Sequence, residues 1–494
     1  MIDVCRRFLL LCLFAGFSLS VMAEEVQTRL LLRLETGVDE AVFLRGLDSR
    51  FGPEFNLERR LGHTLILSFA PPLPGSEAEA LAARIADLPD VMYAEPPGPR
   101  MQPQFVPNDF FYPDQWNLFE TYGIDAQNAW DRTRGNSSVV IAQIDTGILD
   151  HEDLDNARIL PGYDFVSDPA AANDGDGIDP DPTDPGDAVV ADECGAGSPA
   201  DDSSWHGLLV AGVMVATADN TLGVAGVDHR ARLLPVRAFG KCGGDFADIL
   251  TGMSWAAGLP VTGVPDNPNP ADVINLSFAG SDPCSPAIQD IIDQIRARGV
   301  VLVAAAGNDG MTDMSTVLPA NCEGVIAVAA TNRVGDRAAY SNHGTRVDIS
   351  APGGETGNFG RDAISTTHND GPVTAGNDIY VSASGTSLAA AQVSAGVALM
   401  RALDPDITPD TVASLLINSA QPFPGGSSCT TSLCGAGILD LDAALQLVSQ
   451  SGSAVADDGG GGGCVLAADR RPDIGLVLLL MAILGIRLVR RSSL

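Results

Sequence analysis

Four short, mostly apolar runs, at residues 139–144, 273–276, 300–306 and 325–330, constrain this chain more than any other feature. None alternates apolar with polar residues, as a strand with one wet face must, so each has to be covered on both sides. Stretches with apolar residues at helical spacing lie around them, at 125–130, 206–216, 246–257, 286–298, 387–403 and 409–419. Strand and helix in alternation predict an α/β domain over residues 108–448, a doubly wound parallel sheet with helices on both faces. Ligands in such a sheet bind at the carboxyl ends of the strands.

With 494 residues, the chain exceeds one ordinary domain. Residues 1–23 join Arg6-Arg7, an apolar run from Phe8 to Phe17 and the small-residue exit Val21-Met22-Ala23, the make-up of a secretory signal peptide. Residues 24–104 read as a small α+β domain, with strands at 28–34, 64–69 and 91–95 and a helix at 76–88. Pro96, Pro97, Pro99, Pro103 and Pro107 mark a linker behind it. Residues 449–473 contain the glycine run 459–463 and read as a second linker. Residues 474–494 hold a short apolar stretch, Ile474 to Ile486, followed by Arg487, Arg490 and Arg491. The basic end suits a cytoplasmic side. The segment is either a weak membrane anchor or a sorting signal removed after export, in which case the membrane attachment is transient.

A net charge of −34 argues against a nucleic-acid partner, because phosphate contacts need clustered Lys and Arg. An acidic surface keeps an exported protein soluble or holds divalent cations. Export also permits disulfides. Cys5 and Cys12 leave with the signal segment; Cys194, Cys242, Cys284, Cys322, Cys429 and Cys434 can form three pairs, with Cys464 left over. Six cysteines allow about fifteen connectivities, and among them Cys429 with Cys434 closes a small loop most simply.

Asp145 follows the first buried run, and Thr146-Gly147 turns the chain there. Alone, such an Asp reads as a turn or helix cap. His206 opens a helix with Gly207, Ala211 and Gly212 at contact positions. Ser387 stands directly before an apolar helix, where a Ser often serves as N-cap; there it also feels the positive end of the helix dipole. Taken together the three describe one chemistry. A Ser hydroxyl is a poor nucleophile until an imidazole removes its proton, and that imidazole needs a carboxylate to hold its tautomer. The order Asp, His, Ser is one of the three known for this triad. An α/β-hydrolase esterase instead needs Gly-x-Ser-x-Gly and the order Ser, Asp, His; Gly385-Thr386-Ser387-Leu388-Ala389 meets neither condition.

The segments Ile144-Asp145-Thr146-Gly147, His206-Gly207 with Val210-Ala211-Gly212, Ala304-Ala305-Ala306-Gly307-Asn308 and Gly385-Thr386-Ser387-Leu388-Ala389 resemble the four signature blocks of the subtilase family. They come in the family's order, across roughly residues 108–448. The resemblance implies a secreted serine endopeptidase acting on protein or peptide substrates. In it Asp145 orients, His206 is general base and then general acid, Ser387 is the nucleophile, and Asn308 with the Ser387 N–H forms the oxyanion hole. Ser277, Phe278 and Ala279 resemble the strand that pairs with substrate and edges the S1 pocket. Residues 24–104 resemble subtilase propeptides, intramolecular inhibitors that assist folding and are removed, here by autocleavage between about Pro97 and Asn108. A catalytically dead subtilase used for adhesion would lack one of the four catalytic residues, and all four are present.

No cofactor is expected for the reaction itself, but structural Ca²⁺ is. Asp109 and Asp153 resemble calcium ligands of thermitase-like members. The stretch 168–202 holds eleven acidic residues and no Lys or Arg, with Asp174 and Asp176 in Asn-Asp-Gly-Asp-Gly; it suits the same hard cation or is solvated. The chain departs from the family pattern at Ala279, where Gly is usual and an added methyl narrows S1, and at Leu208-Leu209, where Thr-His is usual.

Overall fold

The computed structural model describes residues 26–97, 104–311, 313–355 and 362–454. The signal segment, residues 455–473 of the glycine-rich linker with Cys464, and the apolar tail lie outside the described residues. The chain divides into two compact units at Pro103/Gln104.

The first unit runs β1 (Val26–Leu34), α1 (Glu40–Phe51), β2 (Glu54–Leu61), β3 (Thr64–Pro74), α2 (Gly75–Ala86) and β4 (Val91–Glu95). Its antiparallel sheet has the order β2-β3-β1-β4. Ala78, Leu81, Ala82 and Ile85 on one face of α2 join Leu30, Leu32, Leu65, Leu67 and Phe69 in a core of its own. The sequence reading missed α1 and β2 for a physical reason: each buries a single residue, Leu47 and Phe55, so neither shows a strong apolar period.

The second unit contains helices α3 (Trp116–Phe119), α4 (Ala126–Arg132), α5 (Pro169–Ala172), α6 (His206–Val215), α7 (Phe246–Ala256), α8 (Pro286–Ala297), α9 (Thr386–Leu403), α10 (Pro409–Ser419) and α11 (Leu441–Ala454). Its parallel seven-stranded sheet is built from β5 (Val140–Asp145), β6 (Tyr163–Asp164), β7 (Arg232–Arg237), β8 (Val273–Leu276), β10 (Val301–Ala305), β12 (Val325–Thr331) and β13 (Ile349–Pro352). Two short pairs stand apart: β9 (Gly280–Ser281) with β11 (Val317–Leu318), and β14 (Ile364–Asn369) with β15 (Asp378–Ala383).

The expected two-sided burial is present. Along the strands Ile141, Val303 and Val328 face one core with residues of α6, α9 and α11, while Ala142, Ile144, Leu302 and Ala304 face a second core with residues of α7 and α8. Helix α9 is buried along most of its length. Among the described residues it is the one helix long and apolar enough to cross a membrane, and its burial makes it a core helix. The sequence pattern did not reveal β7, which carries Pro235 and ends in the buried Arg237, nor the short strand β13 or the pair β14–β15. Helix α11 also runs past residue 448 to Ala454.

Sheet order places the site. The strands run β13-β12-β10-β8-β5-β7-β6, so the chain leaves β5 for β6 and β7 on one side and returns to β8 on the other. This reversal opens a crevice at the carboxyl ends of β5 and β8. The three disulfides are Cys194–Cys242, Cys284–Cys322 and Cys429–Cys434.

Candidate active site

Asp145 is the last residue of β5 and is buried. Its Oδ1 accepts from the Thr146 N–H at 2.8 Å and from His206 Nδ1 at 2.7 Å. A carboxylate only accepts, so this bond fixes the imidazole proton on Nδ1 and leaves Nε2 as an acceptor. The His reaches this point because α6 sits directly on the turn after β5. A Cβ at Gly207 would lie 1.9 Å from the Gly147 carbonyl oxygen, so only glycine lets the two backbones touch. Gln143 donates to the Gly207 carbonyl at 2.7 Å, and the Gly207 N–H donates to Thr146 Oγ1 at 3.0 Å. Leu208 is buried in the core, and the Leu208 and Leu209 carbonyls accept from Thr367 and Thr366 at 2.8 and 2.7 Å. The departure from Thr-His is therefore absorbed by packing, and the His206–Asp145 contact is kept.

Ser387 lies in the first turn of α9. Its hydroxyl donates to the Ser277 carbonyl at 2.8 Å, and Ser277 Oγ donates in return to the Ser387 carbonyl at 2.9 Å. Behind them Asn275 donates to Ser277 Oγ, and Ser394 donates to Asn275 Oδ1, each at 2.8 Å. Asn308 follows β10. Its Oδ1 accepts from the Thr386 N–H at 3.0 Å and the Thr386 hydroxyl at 2.9 Å, which turns its NH₂ group the other way. The Thr386 hydroxyl in turn accepts from the Gly307 N–H at 3.1 Å. Asp145, His206, Ser277, Phe278, Ala279, Asn308 and Ser387 all line one cavity of about 410 Å³.

The subtilase family (Peptidase S8) matches residues 136–443. The chain belongs to the subtilase family. It is similar to an extracellular protease of Xanthomonas campestris pv. campestris, 45% identical over 375 residues, which cover 76% of this chain and 62% of the relative. It is also similar to an extracellular basic protease of Dichelobacter nodosus, 40% identical over 382 residues, 75% of this chain and 61% of that one. The chain thus spans about three fifths of the length of these two relatives. A solved structure of a protease from Pseudoalteromonas arctica PAMC 21717 matches at a TM-score of 0.67 and 45% identity, covering 70% of this chain and 100% of that one. The epidermin leader peptide processing serine protease of Staphylococcus aureus shares the fold, at 20% identity and a TM-score of 0.54 over 86% of this chain and 99% of that one.

In this subtilase domain, burial of the His206 ring works against its charged form. The charge and hydrogen bond of Asp145 outweigh that, with Asp187 and Asp184 adding to them, and the ring's pKa is raised above its ordinary value. Phe239, just past the carboxyl end of β7, lines the cavity with its ring 4.8 Å from that of Phe278. Sequence reasoning missed Phe239 because β7 was not recognised. It also missed Thr146 and Thr386, whose side chains fix the neighbouring functional residues. Their signal was their place beside Asp145 and Ser387.

The expected calcium ligands fall in two places. Asp109 and Asp153 are buried, and Asn220 lies between them: its N–H faces Asp109 Oδ1 at 3.4 Å and its amide donates to Asp153 Oδ1 at 2.7 Å. Burial raises both carboxyls, and the charge of Asp109 adds to the rise at Asp153. Two buried carboxylates supply the hard oxygen ligands that a Ca²⁺ takes, and both oxygens of each also accept from N–H groups of Asp219, Asn220 and Val224. Asp174, Asp176 and Asp179 also cluster, on the exposed loop. Asp174, however, pairs with the buried Arg237 at 2.6 Å, so a guanidinium already supplies positive charge there.

Proposed function

We propose that this chain is a secreted serine endopeptidase that cleaves peptide bonds through an acyl-enzyme on Ser387. The observation that carries the reading is the 2.7 Å bond from His206 Nδ1 to Asp145, made at the rim of a cavity shared with Ser387 and Asn308. In the reaction Ser387 Oγ adds to the substrate carbonyl carbon while His206 Nε2 takes its proton. Turning about χ1 from its bond with Ser277 to the His206 side moves the hydroxyl between staggered wells, and such bonds commonly tighten only with substrate bound. The tetrahedral oxyanion accepts from the Asn308 NH₂ and from the Ser387 N–H at the positive end of α9. Asp145 stabilises the imidazolium and holds its tautomer. His206 then returns the proton to the leaving amine, and water repeats the sequence to free Ser387.

Extended substrate pairs alongside residues 277–279, which supplies affinity with little side-chain selectivity. The Ala279 methyl faces Gly307 across the cleft, since a Cβ there would meet it at 3.1 Å, and this favours P1 side chains of modest size. The unit spanning β1 to β4 has its own core, which supports its role as a removable inhibitor. Export through residues 1–23, and the extracellular proteases among the relatives, support secretion. Asp109 and Asp153 hold a structural Ca²⁺ that neutralises their mutual repulsion. The test is labelling by a serine-directed fluorophosphonate: the wild type is labelled and hydrolyses peptides, and Ser387→Ala does neither. A Ser387→Ala enzyme that keeps either property overturns the assignment.

A further inference from the structure

We propose that Asp184 and Asp187, on the loop between α5 and α6, are positioning residues for His206, bracing the backbone on both sides of the ring. The inference rests on His206 being the general base.

The two braces are independent. On one side the Thr146 hydroxyl donates to Asp184 Oδ2 at 2.7 Å, which leaves its lone pair to accept the Gly207 N–H at 3.0 Å. Asp184 is itself held by the Gly186 N–H on its Oδ1 at 2.9 Å, and its backbone N–H bonds the Ile148 carbonyl at 3.1 Å. On the other side Asp187 accepts from both the N–H and the hydroxyl of Ser204, at 2.6 and 2.7 Å. Ser204 Oγ in turn accepts the His206 N–H at 3.3 Å. Each carboxylate thus acts on a backbone group at or next to His206 through a single hydroxyl.

Asp184 is 4% exposed with both oxygens engaged, so it is neither a solvated surface acid nor an open metal ligand. The acids whose charge acts on the ring are Asp145 from β5 and Asp187 and Asp184 from this loop, while Asp309 lines the cleft that holds the ring. Among the described residues lining that cleft there is no Lys or Arg. The loop has a fixed seat: Val189 and Asp201 bridge its arms, and Cys194–Cys242 ties its outer end to the segment after β7.

The test is the pH dependence of kcat/KM on a chromogenic peptide for wild type, Asp187→Asn, Asp184→Asn and Asp187→Ala. His206 must be neutral to take the Ser387 proton. Removing a facing negative charge lowers its pKa, so the neutral ring persists to lower pH. The acid limb moves down by about half a pH unit in Asp187→Asn and by less in Asp184→Asn, because burial pushes the Asp184 carboxyl up to about 6 and it loses its charge over the same range. Asp187→Ala also loses the Ser204 brace, and kcat falls several-fold with KM unchanged; Asp187→Asn keeps an acceptor oxygen and recovers kcat while its limb stays displaced. A general loss of fold moves neither the limb nor the ratio of the two Asp187 variants in this way. If the buried Asp184→Asn does not fold, the partly exposed Asp187 carries the test alone. An acid limb unmoved in Asp187→Asn overturns the inference while the inactivity of Ser387→Ala keeps the base assignment standing; activity in Ser387→Ala removes that assignment first.

Discussion

Thr386 is fully buried, with its hydroxyl bonded to Asn308 and Gly307, so it should matter to the rate through Asn308. It donates to Asn308 Oδ1 at 2.9 Å and accepts from the Gly307 N–H at 3.1 Å. Thr386→Val keeps the shape and removes both bonds. Asn308 is still held by the Thr386 N–H, so it is loosened and not lost. One hydrogen bond of this kind is worth about 0.5–1.5 kcal/mol, which at about 1.4 kcal/mol per decade predicts a fall in kcat of roughly two- to tenfold. Loss of the corresponding donor in subtilisin, the family's own prototype, costs about 10²–10³ in kcat, and Asn308→Ala should reach that range. The cycle decides. In the Asn308→Ala background Thr386→Val should change kcat by less than about twofold, because the group it positions is gone. Stability responds separately: the buried Gly307 N–H is left without a partner, costing about 1–3 kcal/mol in either background. The assay is peptide hydrolysis by active-site-titrated enzyme, with thermal denaturation alongside. Equal losses in kcat for Thr386→Val with and without Asn308 would falsify the proposed path.

Three other outcomes are expected. Ala279→Gly should raise kcat/KM for a bulky aromatic P1 relative to a small one by about tenfold, the effect of one methyl in a confined pocket; an unchanged P1 profile removes the narrowing role. Chelation of Ca²⁺ should lower the thermal midpoint by the equivalent of about 2.7 kcal/mol if the ion is present at a hundredfold over its Kd, and Asp153→Asn should abolish that sensitivity. A chelator effect that survives in Asp153→Asn places the ion elsewhere. Gly207→Ala brings a Cβ to within 1.9 Å of the Gly147 carbonyl oxygen and must push α6 off β5. A displacement near 1 Å costs about 10²-fold, so an active, folded Gly207→Ala enzyme would show that His206 does not depend on this contact.

Much of this was legible from the chain. The mostly apolar runs at 139–144 and 300–306 predicted two-sided strands, and Ile141 and Ala142 do point into opposite cores. Asp145 and His206 were legible because their blocks pair a functional residue with glycine, and Gly207 has a steric reason to be there. What escaped was held by tertiary context. β7 sits near the edge of the sheet, paired beyond with the two-residue β6 and the single bridge Ile159–Leu233, so it tolerates Pro235, and its buried Arg237 is neutralised by Asp164 and Asp174. No local pattern shows such a pairing. The same holds for Asp184 and Asp187, which read as members of an acidic run until the fold sets them against Thr146 and Ser204.

The loop between α5 and α6 therefore does more than carry negative charge. A Cβ at Gly147 would lie 2.6 Å from the Pro182 carbonyl oxygen, and one at Gly207 still closer to the Gly147 carbonyl oxygen. Three backbones, those of the loop, the turn after β5 and the start of α6, are thus in direct contact with no side chain between them. Contacts between backbones cannot be relaxed by changing a rotamer, and close-packed interiors transmit displacement instead of absorbing it. Any shift of residues 182–184 must reach the His206–Asp145 bond. A change in the length or sequence of this loop is then expected to alter the geometry at His206 with Asp145, His206 and Ser387 all left in place.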